Sequence, residues 1–359
     1  MKERIVVAMS GGVDSSVAAA LLVEQGYDVV GMTMQLWDYG SRKKRQANRC
    51  CASEDIEDAR RVANHLGIPF YAINFQKEFF DQVVRPFMDD YISGRTPIPC
   101  VNCNSGLKFH ELVHVADRLQ AAHVATGHYV TLEQDPSTGR YRLRKARDLR
   151  KDQSYFLFNL TQDQLSRAHF PLGEYTKSEV RDIARRLNLP VAEKPESQEL
   201  CFLQGETQGS FIQRHIPNLT LKGDFVDSSG AYIGAHDGIE NFTIGQRRGL
   251  GVALGKPQYV VGIDAPRRMV QLGGYDELLM RGMNVSRVNW LGIPEPEENL
   301  TSHVRIRYKH DESVATIYPD GSNCRVEFEE KQRAITPGQA AVFYDGDLLL
   351  GGGWIDSAF

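Results

Sequence analysis

Residues 6–16 read Val-Val-Ala-Met-Ser-Gly-Gly-Val-Asp-Ser-Ser, and this stretch decides the fold prediction. The apolar run at 5–9 predicts a strand buried on both faces, and the Ala- and Leu-rich run at 17–23 predicts a following helix. Between them, Gly11 and Gly12 allow a tight turn whose backbone N–H groups, with the positive end of the helix dipole, would face an anion. The stretch therefore predicts a phosphate-binding loop.

The loop lacks the lysine that follows the second glycine of a Walker loop. Its order from Ser10 to Ser15, Ser-Gly-Gly-x-Asp-Ser, resembles the pyrophosphate-binding loop of ATP pyrophosphatases. Those enzymes cleave ATP to AMP and pyrophosphate while they adenylate a substrate oxygen. An ordinary strand-turn-helix junction is the alternative, and the two serines with Asp14 make it the weaker one.

Length and composition predict a soluble protein of two or three domains. The chain has 359 residues, of which 42% are hydrophobic and 25% charged. No apolar run approaches a membrane span and no signal-peptide pattern is present, so we expect a cytoplasmic protein with no membrane partner. The net charge of −4 argues against a general polyanion or DNA binder. It leaves room for two local basic clusters, at 42–49 and 140–151, either of which could be a solvated face.

Apolar strands alternate with amphipathic helices as far as about residue 187, which predicts a doubly wound parallel sheet, an α/β fold of the ATP pyrophosphatase type. Strands are expected at 28–37, 70–75 and 123–126, and helices at 53–66, 77–92, 107–119 and 176–187. Ligands of such sheets lie beyond the carboxyl ends of the strands, where Ser10, Met34 and Gly127 would meet.

Two further predictions concern the rest of the chain. Turn residues at 134–139 predict a hairpin, so that the basic segment 141–150 would project as an arm. After Gly205, short alternating segments separated by Gly, Pro and Asp turns are typical of β barrels or sandwiches. We therefore expect a catalytic domain over 1–204, a small middle β module over 205–277 and a C-terminal β barrel over 278–359.

Three of the six cysteines are placed for chemistry. Cys100 and Cys103 follow a proline-rich loop just before a predicted helix, where a thiolate would be favoured, and Cys201 lies in an irregular stretch. So few cysteines suit a reducing compartment better than a disulfide scaffold. A zinc site that includes Cys100 and Cys103 is an alternative, although a second Cys-x-x-Cys pair is missing. Cys50, Cys51 and Cys324 are expected to be packing residues.

The motifs together resemble the bacterial tRNA-specific 2-thiouridylase family, of the Cys-x-x-Cys type. They are the loop at 10–15, Gly-Arg-Thr-Pro-x-Pro-Cys-x-x-Cys-Asn-x-x-x-Lys-Phe at 94–109, Ala-Thr-Gly-His-Tyr at 125–129, Lys-Asp-Gln-Ser-Tyr-Phe-Leu at 151–157, Glu-Leu-Cys-Phe at 199–202, Thr-Ile-Gly-Gln-Arg at 243–247 and Thr-Pro-Gly-Gln at 336–339. Their order spans nearly the whole chain.

The resemblance implies an ATP-dependent transferase that replaces the 2-oxygen of the wobble uridine, position 34, by sulfur in tRNAs for Lys, Glu and Gln. ATP would adenylate that oxygen, with Mg²⁺ and Asp14 assisting. Cys201 would carry a persulfide, and Cys103 would be the nucleophile that releases the sulfur, forming a disulfide with Cys201 or attacking the activated base. A cysteine desulfurase or a sulfur-relay protein would be the sulfur donor.

The same resemblance carries over the binding residues. The ATP-binding positions are Ala8, Met9, Ser10, Gly11, Gly12, Val13, Asp14, Ser15, Met34 and Gly127. The tRNA-binding positions are Ile98, Pro99, Cys100, His128, Lys151, Asp152, Gln153, Arg307, Tyr308 and Gln339.

Cys100 departs from the family pattern, because some members carry Asp there. With Cys103 and Cys201 it could instead ligate an iron–sulfur cluster that delivers the sulfur. The residues also leave room for an amide-forming ATP pyrophosphatase, which would not need the cysteines, and for an RNA-binding module with a vestigial nucleotide fold.

Overall fold

A computed structural model describes residues 2–37, 54–196, 200–203, 205–252, 255 and 257–359. The basic cluster at 42–49, Cys50, Cys51 and Glu199 of the Glu-Leu-Cys-Phe motif lie outside these ranges. Within the described ranges, none of the helices combines the length and the apolar character that crossing a membrane would need.

The structure contains nine α-helices and seventeen strands among the described residues. The helices are α1 (Val13–Glu24), α2 (Glu54–Leu66), α3 (Gln76–Phe79), α4 (Arg85–Ile92), α5 (Pro99–Asn102), α6 (Phe109–Arg118), α7 (Gln162–Arg167), α8 (Lys177–Arg186) and α9 (Gln208–His215). The strands are β1 (Arg4–Ala8), β2 (Asp28–Gln35), β3 (Phe70–Asn74), β4 (His123–Ala125), β5 (Val130–Gln134), β6 (Tyr141–Lys145), β7 (Ala168–His169), β8 (Gly223–Val226), β9 (Tyr232–His236), β10 (Tyr259–Asp264), β11 (Met269–Gly273), β12 (Leu279–Asn289), β13 (Leu300–Arg305), β14 (Ser313–Asp320), β15 (Asn323–Arg333), β16 (Ala340–Asp345) and β17 (Leu348–Ala358).

The first five-stranded sheet is parallel and has the order β3-β2-β1-β4-β7. Successive residues of β1 point to opposite faces: Ile5 and Val7 pack in one hydrophobic cluster with α1, α2 and α8, and Val6 packs in another with α6. Helices on both faces explain the continuous apolar run of β1. The predicted doubly wound α/β fold is confirmed.

The helix that carries the two paired cysteines begins earlier than the sequence predicts. Helix α5, a π-helical turn at Cys103–Lys108 and α6 follow one another without a break from Pro99 to Arg118. The prediction of a helix starting at 107 was wrong, because proline is well suited to the first helical position and the π turn continues into α6. Cys100 and Cys103 therefore lie within helical turns.

The basic hairpin does not project as an arm, which corrects the sequence prediction. Strands β5 and β6 form the hairpin, and Arg144 of β6 pairs with Leu348 of the C-terminal barrel. Arg140 and Arg142 donate hydrogen bonds to the carbonyl oxygens of Leu291 and Gly292 at 2.9 and 3.1 Å. Because its arginines find acceptors in the barrel, the hairpin lies against it.

The rest of the chain forms two β structures, as predicted. The middle module is a four-stranded sheet of order β10-β11-β8-β9, preceded by α9, a helix that the sequence analysis missed. Strands β12–β17 close into a six-stranded antiparallel barrel through the β12–β17 pairing. Cys324 is buried in the barrel core, which confirms its packing role.

Candidate active site

The loop after β1 presents an uncapped helix N-terminus. Gly12 is the N-cap of α1 and, having no side chain, makes no capping hydrogen bond. Gly11 has φ +75°, and a methyl group there would lie 2.1 Å from the carbonyl oxygen of Asp55, so only glycine fits. The Ser15 hydroxyl accepts a hydrogen bond from the backbone N–H of Ser10 at 3.0 Å. The loop is thus closed on itself, while the free end of the helix can bind an anion.

The neighbouring strands bring the other predicted nucleotide positions to this edge. Ala8 ends β1, Met34 lies near the end of β2, and Gly127 follows β4. A methyl group at Gly127 would lie 2.7 Å from the backbone nitrogen of Ser15, which shows how closely the chain after β4 approaches the loop. The side chain of Val13 is buried in the core, so only its backbone can contribute to a ligand site.

Asp14 is the first member of a chain of charges that the sequence did not show. Its Oδ1 accepts a hydrogen bond from the Tyr129 hydroxyl at 2.7 Å and from Lys177 Nζ at 2.6 Å. Lys177 Nζ also lies 3.0 Å from one carboxylate oxygen of Glu196, whose other oxygen accepts from Lys151 Nζ at 2.6 Å. The order is carboxylate, ammonium, carboxylate, ammonium, and it runs from the loop to a predicted tRNA contact.

A second lysine supports the loop from behind. Lys194 Nζ donates to the carbonyl oxygen of Gly11 at 3.0 Å and contacts the carboxylates of Asp55 at 2.7 Å and Asp58 at 2.5 Å. Burial alone would raise the pKa of the Asp58 carboxyl, but the hydrogen bonds from Lys194 and Arg61, together with the charges of these two residues, hold it below its usual value. Lys194 therefore ties the loop to α2.

The three candidate cysteines are free thiols. Cys103 is buried and Cys100 is half-buried, whereas Cys201 as a whole residue is exposed to solvent although its sulfur is largely desolvated. Burial raises the pKa of the Cys100 and Cys103 thiols. Desolvation of the sulfur, with a contribution from Cys103, raises the pKa of Cys201 as well. The prediction of a favoured thiolate at Cys100 and Cys103 was wrong for this structure, because desolvation of the two sulfurs outweighs the favourable charge of Lys108.

Lys108 is the cation of this region. Its charge lowers the pKa of each of the three thiols, although less than desolvation raises it. Its ammonium donates to Asn104 Oδ1 at 3.2 Å, and the Asn104 amide donates to the carbonyl of Phe156 at 3.2 Å. The fold therefore gathers Cys100, Cys103 and Cys201 around one positive charge.

The described residues include no group of three or more His, Cys, Asp or Glu side chains placed to hold a metal ion. The zinc alternative and the three-cysteine iron–sulfur ligand set both required such a group. The described thiols, as they stand, fit neither ligand set. Mg²⁺ is a different case, because it prefers oxygen ligands and binds largely through nucleotide phosphates, so the Asp14 carboxylate suits it.

Residues 151–153 connect to the loop rather than standing apart on the surface. Gln153 Oε1 accepts a hydrogen bond from the backbone N–H of Tyr129 at 3.0 Å. Asp152 is only 2% exposed and accepts hydrogen bonds from Ser154 Oγ at 2.7 Å and from the backbone N–H of Ala146 at 3.1 Å. The Asp152 carboxylate is thus committed to the interior, which does not support the predicted direct contact with tRNA.

Gln339 and Tyr308 join the barrel to the catalytic domain. The Gln339 amide donates to the carbonyl oxygens of Thr96 and Pro97 at 3.0 and 3.3 Å. The Tyr308 ring lies 4.5 Å from that of Phe156 between centroids. Gln339 therefore fixes the proline loop ahead of Cys100. The remaining predicted tRNA positions differ in exposure: Pro99 is buried, and Ile98, Cys100, His128, Lys151 and Arg307 are partly exposed.

Sequence reasoning missed Tyr129, Lys177, Lys194 and Glu196 as site residues. The sequence contains one indication for Lys177. This lysine is the first residue of α8, directly after the Thr176 cap, where its positive charge is unfavourable next to the positive end of the helix dipole. A lysine in that position is better explained by a partner elsewhere than by helix stability.

Comparison with known proteins gives full-length matches. Family models match residues 3–205 (tRNA methyl transferase HUP domain), 209–273 (tRNA methyl transferase PRC-barrel domain) and 280–355 (aminomethyltransferase beta-barrel domain). The chain is 47% identical to the tRNA-specific 2-thiouridylase MnmA of Solibacter usitatus, over 99% of this chain and 100% of that protein. It is 49% identical to that of Geotalea uraniireducens, over 99% and 96% respectively.

One matching solved structure is more distant. The NMN synthetase of Francisella tularensis is 18% identical, covers 61% of this chain and 78% of its own, and has a TM-score of 0.34, too low to support an argument.

Proposed function

The chain belongs to the tRNA-specific 2-thiouridylase family, and from this premise we propose how its residues share the reaction. It is an ATP-using tRNA sulfurtransferase that performs 2-thiolation. We place the modified uridine at wobble position 34 of tRNAs for Lys, Glu and Gln. The family match decides against an amide-forming synthetase and against a vestigial RNA-binding module.

One observation carries the proposal: two consecutive residues join the nucleotide loop to the cysteines. The Tyr129 hydroxyl donates to Asp14 of the loop, while the His128 ring stacks on Phe109 with 6.3 Å between centroids. Phe109 directly follows Lys108, whose charge acts on all three cysteines. A uridine held at His128 would therefore have ATP on one side and sulfur chemistry on the other.

Adenylation activates the base because its 2-oxygen is a poor leaving group. The uridine oxygen attacks the α-phosphorus of ATP, and pyrophosphate leaves into the Ser10–Ser15 loop, whose N–H groups face the anion. Mg²⁺, with Asp14 as its protein ligand, would neutralise charge on the phosphates. Lys151 would hold the tRNA backbone beside this site.

Sulfur transfer then needs two cysteines. The terminal sulfur of a Cys201 persulfide attacks carbon 2 of the adenylated base, and AMP departs with the former 2-oxygen. Cys103, once its thiol has lost its proton, attacks the Cys201 sulfur of the resulting base–Cys201 disulfide. This releases 2-thiouridine and leaves a Cys103–Cys201 disulfide, which a thiol reductant must reduce before the next turnover. A cysteine desulfurase or a relay protein would reload Cys201, in the cytoplasm where tRNA and ATP are available.

The test is conversion of unmodified tRNA that bears a wobble uridine, with ATP, Mg²⁺, a cysteine desulfurase with cysteine as the persulfide donor, and a thiol reductant, read as a mobility shift on an organomercury gel. We expect a shift that requires ATP and disappears in Cys201→Ala. Cys324→Ala is the matched control, because that thiol is buried in the barrel, and it should retain the shift. ATP cleavage without any shift would contradict the proposal and direct the search to another acceptor.

A further inference from the structure

The nucleotide loop has no positive charge of its own, although the triphosphate of ATP is strongly anionic. Residues 10–16 contain one acidic side chain and no basic one. In a Walker loop a lysine within the motif contacts the phosphates. Any side-chain cation that acts beside Mg²⁺ at this loop must therefore come from another part of the chain, and two lysine ammonium groups, those of Lys177 and Lys194, contact the loop among the described residues.

Lys194 is already fully used. An ammonium group has three N–H donors, and those of Lys194 are directed at Gly11, Asp55 and Asp58. Because Lys194 donates to the carbonyl oxygen of Gly11 and to two carboxylates of α2, it joins the loop to that helix. A phosphate could recruit Lys194 only by breaking the contacts that shape the loop.

Lys177 is built differently. Its backbone is fixed at the start of α8, where Thr176 and Glu179 form a capping box and the Lys177 N–H donates to Asp148 Oδ2 at 3.1 Å. Its ammonium has two carboxylate partners among the described residues, Asp14 and Glu196, and the side chain is 12% exposed. One donor is thus left over, next to the residue that begins the loop's helix.

We propose that Lys177 binds the phosphate chain of ATP and is the cation that the loop motif lacks. The assignment rests on the proposed function, because it takes ATP as the ligand of the loop. Before ATP binds, the Asp14 carboxylate holds the Lys177 ammonium group at the loop. When ATP binds, phosphate oxygens take the free donor and compete with Asp14 for the contact at 2.6 Å.

Glu196 is the positioning residue of this arrangement. It contacts Lys177 at 3.0 Å and Lys151 at 2.6 Å, so one carboxylate holds the ATP lysine and the predicted tRNA lysine side by side. The contact with Glu196 does not need to break when Lys177 turns to a phosphate, because the ammonium can donate to several acceptors at once. Glu196 therefore keeps Lys177 within reach of the loop.

The experiment is equilibrium binding of ATP and of adenosine to the full-length enzyme without tRNA. In Lys177→Met we expect the Kd for ATP to rise about ten- to a hundredfold, the loss typical of a hydrogen bond to a charged group. The Kd for adenosine should stay within about twofold, because adenosine has no phosphate. Lys177→Arg keeps the charge and should recover part of the loss.

Two controls separate this assignment from damage to the fold. Lys222→Met removes a surface lysine of the middle module that pairs, within the described ranges, with the exposed Asp237, and it should bind ATP as the wild type does. Lys177→Met combined with Glu196→Gln removes one carboxylate together with the ammonium, which relieves the charge imbalance. The double variant should still bind ATP weakly if phosphate binding, and not repulsion between carboxylates, is the cause.

An unchanged Kd for ATP in Lys177→Met would overturn the assignment. An equal rise in the Kd values for ATP and for adenosine would overturn it too, because the lysine would then only support the fold. Failure of the proposed function looks different: the wild type would bind ATP, with the lysine dependence intact, and yet fail to thiolate tRNA.

Discussion

Substitution of Gly127 by alanine tests whether the chain after β4 sets the shape of the nucleotide loop. The new methyl group would lie 2.7 Å from the nitrogen of Ser15 and 2.9 Å from the carbonyl carbon of Asp14, whereas ordinary contacts begin at 3.4 Å. Both atoms belong to the backbone, so no side chain can rotate away. The loop and strand must separate by roughly 0.7 Å, the difference between the contact limit and the shorter distance.

The expected cost follows from that overlap. Overpacking of a well-packed site costs about 1–3 kcal/mol, and the lower entropy of an unfolded alanine chain returns about 0.4–1 kcal/mol. We therefore expect the free energy of unfolding to fall by about 1–2 kcal/mol. Displaced N–H groups also bind phosphate less well, and a loss of about 1.4 kcal/mol would raise the Kd for ATP about tenfold.

Urea unfolding and equilibrium ATP binding measure the two effects. Gly106→Ala is the matched control, because the nearest atom to its new methyl group would be Gln82 Oε1 at 3.8 Å, within a helical turn that favours alanine. It should leave ATP affinity unchanged and not reduce stability. If Gly127→Ala were as stable as the wild type and bound ATP equally well, the close approach would have no role in shaping the loop.

Three further predictions concern positions that the family resemblance assigns to tRNA binding. Lys151→Ala should lower the log–log salt slope of tRNA binding by about one unit, and an unchanged slope would refute its phosphate contact. Asp152→Asn should instead lower the free energy of unfolding by about 1–3 kcal/mol with no change in that slope, because its carboxylate is buried; a changed slope with normal stability would argue for direct RNA contact. Burial, together with Lys108, lowers the pKa of His128 to about 3, so between pH 6.5 and that value the unfolded chain takes up a proton that the folded chain does not. The free energy of unfolding therefore decreases as the pH is lowered through this window. His128→Gln should reduce this pH dependence between pH 6 and 4 by up to about 1 kcal/mol per pH unit, and an unchanged dependence would show that another group is responsible.

The sequence alone determined the fold class, the family and the position of the glycine turn between the first strand and the first helix. The hydrophobic pattern and the composition of residues 5–16 are local properties of the chain. A buried parallel strand must be apolar on both faces, and the turn after it requires glycine at position 11, where φ is positive. The C-terminal barrel was likewise predicted from short alternating segments with turn residues between them, whereas its six strands are known only from the structure. These features follow from neighbours along the chain, which is why a single sequence reveals them.

The tertiary structure decided which charges meet. Lys177 is 163 residues from Asp14 along the chain, and no period or motif relates the two, yet their atoms lie 2.6 Å apart. The thiol pKa values and the interior position of Asp152 were also beyond the sequence, because both depend on desolvation by residues from distant segments. Local patterns specify strands, turns and helix caps, whereas burial and ion pairing arise only when the folded chain brings remote side chains together and excludes water from them.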